Sequence, residues 1–293
     1  MEKIKIVTDS ASDILDKYVK EYDIDVIPFK IVVGDKSYVS NVDFDNEEFY
    51  KILDSYDGIP ATSQITPFEF EEYYNKMFEE GYTDLVLVLI NSQGSATYNN
   101  SIMAKDSFFE EHPEAEGKIN IHTFDGKSYN CGYGWAVIEA AKMVKEGSSV
   151  DDVLKSIEEQ LTKTCIYFGM YSLTYAAKSG RIPSAAAFVG DAIGLKPVMK
   201  IWDHEITTAG KVRGEKKLMS SIVSMAIDEM EEGSPYAVIY GNDKSVADEL
   251  AERLTKELGY PPLYGFQIGA AVAINAGPKV VGVGFNSKNR TSD

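Results

Sequence analysis

The segment that most limits the fold is Leu85-Val86-Leu87-Val88-Leu89-Ile90, the longest uninterrupted apolar run in the chain. At this length it is strand-sized and far short of the roughly 20 residues a membrane helix needs. A strand with no polar residue on either face is covered on both sides, as the central strands of parallel sheets are. Helix-like sequence follows over Thr97–Glu111, so the local unit reads as β then α. The pattern recurs: a strand at 3–7 with a helix over 12–22, a strand at 119–123 and a helix at 132–146. Alternation of this kind predicts an α/β layer fold with a largely parallel sheet in the first half of the chain.

Other elements follow from periodicity. The apolar stretch Val26–Val33 ends in Gly34-Asp35-Lys36, a turn into another short strand. Helical spacing marks 45–55 and 67–80, the latter through Phe68, Phe70, Tyr73, Tyr74, Met77 and Phe78, which reads as a packing face. Past a helix near 150–161 the texture changes. A strand covers Cys165–Met170, and a Gly/Ala-rich stretch from Ser179 to Gly194 is expected to hold a short helix. Residues 198–212 read as a hairpin around Asp203-His204-Glu205. Helices follow at 215–231 and 244–258 with a strand at 236–240, and Tyr264–Ile268, Ala271–Asn275 and Val280–Phe285 read as short strands or loops. With 293 residues, more than a single core usually organises, the expectation is two α/β lobes: 1–163 with a largely parallel sheet and 164–293 with a mixed sheet.

Charge narrows the function. With 29 Lys and Arg against 46 Asp and Glu, the net charge is −17, which argues against nucleic acid and anionic membranes as partners. Cys131 and Cys165 have no CxxC spacing and read as buried thiols in a reducing compartment. The opening Met1–Val7 alternates like a strand and leads straight into Thr8-Asp9-Ser10, so no targeting segment or membrane insertion is expected and the location is expected to be cytoplasmic.

Motifs that would announce catalysis fail on spacing. Asp125-Gly126-Lys127-Ser128 ends like a phosphate loop, but the required upstream glycine falls on Ile121. Gly282-Val283-Gly284 lacks a third glycine and does not open a βαβ unit. His112, His122 and His204 are isolated from one another and read as structural or surface residues, so no metal site is expected. Gly94-Ser95-Ala96 is half of a nucleophile elbow. What remains are hydroxyl-rich segments beyond the ends of strands, where open α/β sheets bind ligands. These are Thr8-Asp9-Ser10, Pro60-Ala61-Thr62-Ser63-Gln64 and Asn91-Ser92-Gln93-Gly94-Ser95-Ala96-Thr97. Each is also the composition of a helix cap.

Read together, the segments resemble the DegV family of bacterial fatty-acid-binding proteins along the whole chain. Val7-Thr8-Asp9-Ser10 resembles its VTDS, Thr62–Pro67 its TSQPSP, and Ser92–Tyr98 its SxLSGTY. Lys178–Ile182 resembles KGGRI, Lys211-Val212-Arg213 the KxR segment, and Gly277-Pro278 the end of THVGPG. The resemblance implies a binding protein without turnover of its own and without a cofactor. It would bury one fatty acid of about 14 to 18 carbons between its lobes, at about 0.8 kcal/mol per CH₂. Thr62, Ser63 and Ser95 would hold the carboxylate, and a separate fatty acid kinase would phosphorylate it for phospholipid synthesis. Phe168, Met170, Phe188, Ile193, Leu195, Phe266 and Ile268 are candidates for the pocket wall. Arg181 and Arg213, the latter extended by Lys216 and Lys217, are the candidate contacts for a partner or a phosphate.

The chain departs from the pattern where it matters for the head group. Asn275 stands at the family's histidine, Ala96 at the glycine of SGT, Gly94 at its leucine, Ile65 at a proline and Ser179 at a glycine of KGGRI. An amide can hydrogen-bond a carboxylate but carries no charge. Two other expectations therefore stand beside the carrier: an acyl hydrolase using Ser95 with Asp9 nearby, and a binder of a different small ligand on the same fold.

Overall fold

The computed structural model describes residues 2–182 and 195–289. Phe188, Ile193 and most of the expected short helix within Ser179–Gly194 lie outside them. Thirteen strands are described: β1 (Ile4–Asp9), β2 (Asp25–Ile27), β3 (Lys30–Val33), β4 (Lys36–Val39), β5 (Ala61–Ser63), β6 (Asp84–Leu89), β7 (Asn120–Asp125), β8 (Thr164–Met170), β9 (Leu195–Trp202), β10 (Glu205–Arg213), β11 (Tyr236–Tyr240), β12 (Tyr264–Gln267) and β13 (Val280–Asn286). The helices are α1 (Asp16–Tyr22), α2 (Asn46–Ser55), α3 (Pro67–Glu79), α4 (Thr97–Glu111), α5 (Cys131–Lys145), α6 (Val150–Lys163), α7 (Thr174–Ser179), α8 (Glu215–Glu229), α9 (Lys244–Leu258) and α10 (Ala270–Ala276).

The strands form a parallel sheet in the order β2-β1-β6-β7 and a mixed sheet in the order β10-β9-β8-β13-β11-β12, so the chain is α/β with a parallel N-terminal and a mixed C-terminal sheet. The apolar run at 85–90 is the centre of the first sheet, with Leu85 to Leu89 all at 0% exposure. A third sheet, β4-β3-β5, was not legible as such. The stretch read as continuous over Val26–Val33 breaks at Pro28, which has no amide to offer a ladder. Its first part joins β1 and its second part starts the small sheet.

Two expectations are corrected. The helix expected over 12–22 begins only at Asp16: Asp9 caps a short 3-10 turn over Ser10–Ser12, and Asp13 adopts a left-handed conformation (φ 51°) that ends it. Ala271–Asn275, read as strand or loop, is inside α10. Its alanine-rich sequence favours helix once burial on several sides removes any amphipathic signal.

The stripe on α3 packs as expected, with Phe70, Tyr74 and Met77 buried, although Phe68 at its start is exposed. Helix α5 is the joint of the molecule. It is apolar nearly all round, Tyr133, Trp135, Val137 and Ile138 are buried, and it packs on β1 and β6 of one sheet and β8 of the other. Gly284 on β13 lets it approach, since a Cβ there would sit 2.5 Å from Cys131 Sγ. Cys131 and Cys165 are both buried free thiols, pushed up from their ordinary pKa chiefly by that burial. Among the described residues no helix is long and apolar enough to cross a membrane.

Candidate functional site

A cavity of about 520 Å³ opens where the mixed sheet faces the carboxyl ends of the parallel strands. Its two sides differ in chemistry. The sheet side is a run of apolar residues: Ile166 and Phe168 on β8, Ile201 on β9, Ile206 on β10, Ile239 on β11 and Val280 on β13. Strand register explains the alignment, because Ile166 pairs with Ile201 and Ile201 with Ile206, making one isoleucine row across three strands. The other side is polar and comes from β5 and the segments after β6 and β7, with Thr62, Gln64, Ser92, Gln93, Ser95, Asn99 and Tyr129. From α10 come Ala271, Val272, Asn275 and Ala276.

The segments flagged in the sequence divide into wall and support. Asp9 and Ser10 do not line the cavity but hold two residues that do. Asp9 accepts from the Ile90 amide at 2.7 Å, the Ala11 amide at 2.9 Å and the Tyr133 hydroxyl at 2.6 Å, while Ser10 Oγ accepts from the Phe29 amide at 3.0 Å. Burial lifts the Asp9 carboxyl to about 6 against those three hydrogen bonds. Asp125 accepts from the Ser92 amide at 3.1 Å and the Lys127 amide at 2.9 Å, which fixes the turn before Ser95.

Ser95 lines the cavity just ahead of α4, where Ala96, the N-cap residue, offers no side-chain cap. The Ser95 hydroxyl lies 2.9 Å from Thr97 Oγ1 and accepts from the Thr97 amide at 3.3 Å. Among the described residues no imidazole or carboxylate hydrogen-bonds to it, and Asp9 is committed elsewhere. The 15-residue α4 points its N-terminus, the positive end of its dipole, at the same place. Thr62 lines the cavity from strand β5, where a loop was expected. Ser63, its neighbour on that strand, is exposed and is not among the lining residues.

Asn275 also lines the cavity, and one of its amide protons is already donated to the Ala271 carbonyl at 3.0 Å. Arg181 is at the cavity and exposed, whereas Arg213 closes β10 opposite Leu195, away from it. Of the described wall candidates, Phe168 and Ile268 line the cavity, Met170 and Phe266 are core, and Leu195 is half-buried. His204 is at the tip of the β9–β10 hairpin. Its Nδ1 is 2.9 Å from Asn91 Oδ1, and its carbonyl accepts from Asn91 Nδ2 at 2.8 Å. His112 and His122 lie apart from the cavity, beside Glu114 and Asp84. Gln64, inside a flagged segment, lines the cavity as well, whereas Tyr129, Asn99 and the hairpin isoleucines were not flagged by the sequence. Their only signal was adjacency to flagged motifs.

The family model described as "Uncharacterised protein, DegV family" matches residues 3–288. The chain belongs to the DegV family. A DegV domain-containing protein of Clostridium acetobutylicum is 31% identical over 287 residues, 97% of this chain and 98% of its own. One from Caldanaerobacter subterraneus subsp. tengcongensis is 30% identical over 98% of this chain and all of its own. Among solved structures, a stearic-acid-binding protein from Eubacterium ventriosum superposes with a TM-score of 0.87 at 25% identity, covering 98% of this chain and 99% of that one. A DegV family protein from Thermus thermophilus, described as binding fatty acid, superposes at 0.84 and 25% identity over 97% and 99% of the two chains.

Proposed function

We propose that this DegV protein is a carrier that buries one long-chain fatty acid in the cavity, tail against the isoleucine row and carboxylate toward Thr62, Ser95 and the N-terminus of α4. The observation that carries this reading is the two-sided wall, apolar from the sheet and hydroxyl-rich from the loops, in a cavity whose size falls within the ordinary range for small-molecule sites. The fatty-acid binding described for the relatives from Eubacterium ventriosum and Thermus thermophilus supports it. Neutral donors and a helix terminus suffice for the head group because the apolar chain supplies the affinity.

The carrier performs no turnover of its own and presents the carboxylate to a separate kinase, with Arg181 at the cavity as a cationic contact for the phosphorylated product. The division into lobes 1–163 and 164–293 is part of the same proposal, the acid lying between them. Support for the kinase step is the family resemblance together with that arginine. Native mass spectrometry of the recombinant protein, followed by denaturing extraction, tests the binding. One fatty acid per chain is the expected result. A chain that carries none, and from which hexadecanoate displaces no fluorescent acyl probe, sinks the reading. The kinase step is tested by adding a fatty acid kinase and ATP and trapping acyl phosphate with hydroxylamine.

Asn275 favours one variation. With one amide proton bound to its own helix, it has one left to donate and no charge to offer, which suits a less acidic head group. Extraction of a non-acid lipid would establish that variation instead.

A further inference from the structure

Tyr129 stands in the cavity wall beside the turn that carries Ser95. Its place depends on the residue at 94. A methyl group built on Gly94 would lie 2.3 Å from the Tyr129 hydroxyl, 2.9 Å from Cε1 and 3.0 Å from Cζ. Any side chain at 94 therefore drives the phenol out of its position, and glycine leaves room for it.

Behind the ring is a fixed support. Asn91 Nδ2 donates to the Tyr129 hydroxyl at 3.3 Å and to the His204 carbonyl at 2.8 Å, and Asn91 Oδ1 lies 2.9 Å from His204 Nδ1 and accepts from the Gln93 amide at 3.0 Å. Because Asn91 occupies an acceptor position on the phenol oxygen, the phenol's own proton points elsewhere, and among the described residues it has no acceptor. Burial holds the phenol above its ordinary pKa, outweighing the Asn91 hydrogen bond and the Arg181 charge, so the proton is present at neutral pH. A half-buried donor with no partner, facing a cavity that Ser95 and Arg181 also line, is built for an acceptor on the ligand.

We propose that Tyr129 is a head-group residue, its hydroxyl donating to the acid end of the ligand while the Asn91–His204 pair aims it. The hairpin thus contributes twice: Ile201 and Ile206 to the apolar wall, and His204 to the support of the polar one. This deepens the fatty-acid reading and rests on it.

The test compares hexadecanoic acid with hexadecanol, each displacing a fluorescent acyl probe from the delipidated full chain at neutral pH. Tyr129→Phe keeps the ring and removes the donor. It is expected to weaken the acid by about tenfold or more and to leave the alcohol within about twofold, because a hydrogen bond to a charged group is the stronger one. Gly94→Ala should weaken the acid by a similar factor, and the double variant should be no worse than either single one, since both remove the same contact. Unchanged acid affinity in Tyr129→Phe, or equal weakening of acid and alcohol, overturns the proposal while the carrier reading stands. A wild-type chain that binds neither ligand overturns both.

Discussion

Asp9 shows how a single residue can be conspicuous in a sequence for one reason and matter in the structure for another. It opens a hydroxyl-rich segment that reads as a ligand loop, yet it is fully buried, where it ties β1 to β6 and to α5. Burial raises its carboxyl to about 6 from an ordinary 3.8, so between those values the folded chain keeps a proton that the unfolded chain has lost. The stability this group contributes is therefore full below the ordinary value and is lost as the pH rises through about 6. Asp9→Asn removes that dependence. In urea unfolding, the margin of wild type over the variant is expected to shrink as the pH rises across this window, and a margin that does not vary with pH would refute the assignment. Asn275→His makes the complementary prediction for binding. A protonated imidazole beside the head group should tighten hexadecanoate at acidic pH and lose that gain above its ordinary pKa of about 6.5. No gain at any pH would remove position 275 from the carboxylate's surroundings.

Among the elements, α5 and the β9–β10 hairpin were both expected, and both do more than expected. The hairpin turn places Asp203 and His204 at positive φ (43° and 70°), the primed geometry that matches strand twist. Its tip reaches the far side of the cavity through Asn91 and through the Lys127 carbonyl, which accepts from the His204 amide at 2.9 Å. His204→Gly tolerates the same backbone and removes only the ring. Faster hydrogen exchange at the tip and in the Asn91–Ser95 segment, with β8 and β13 unchanged, is the expected result; unaltered exchange would show that the ring carries no part of the docking. Helix α5 seats its first residue over Gly284. Gly284→Ala forces overlap with the Cys131 sulfur and is expected to cost about 1–3 kcal/mol in chemical denaturation. Cys131→Ala in the same chain, by removing the sulfur, should recover part of that loss.

For the whole molecule, the cavity wall is assembled from the mixed sheet and from segments that follow strands of the parallel one, so occupancy is linked to the stability of the assembled fold. A ligand at about 100 times its Kd adds about 2.7 kcal/mol. Delipidated protein reloaded with hexadecanoate should accordingly melt about 5 °C or more above the empty protein. No shift at saturating acid would show that the acid does not bind the folded chain in preference to the unfolded one. The cores support the linkage: one apolar cluster runs from Leu87 and Val88 through α5 to Ile166 and Ile274, crossing from the parallel sheet to the mixed one.

By itself the sequence determined the elements whose evidence is local. The doubly covered strand at 85–90, the helices with a 3.6-residue stripe, the hairpin turn and the ordered DegV motifs all declare themselves within a few residues, because periodicity, capping and turn chemistry are short-range effects. The tertiary structure decided what depends on distant partners. Pro28 divides one apolar stretch between two sheets, burial turns an apolar run at 270–276 into a helix, and strand register lines Ile166, Ile201 and Ile206 into one wall. The same holds for the polar side of the cavity. Thr62, Ser95 and Asn275 could be named from their motifs, but Tyr129 depends on the empty space at Gly94 and on an asparagine held by a hairpin 113 residues away, a relation with no trace in local pattern.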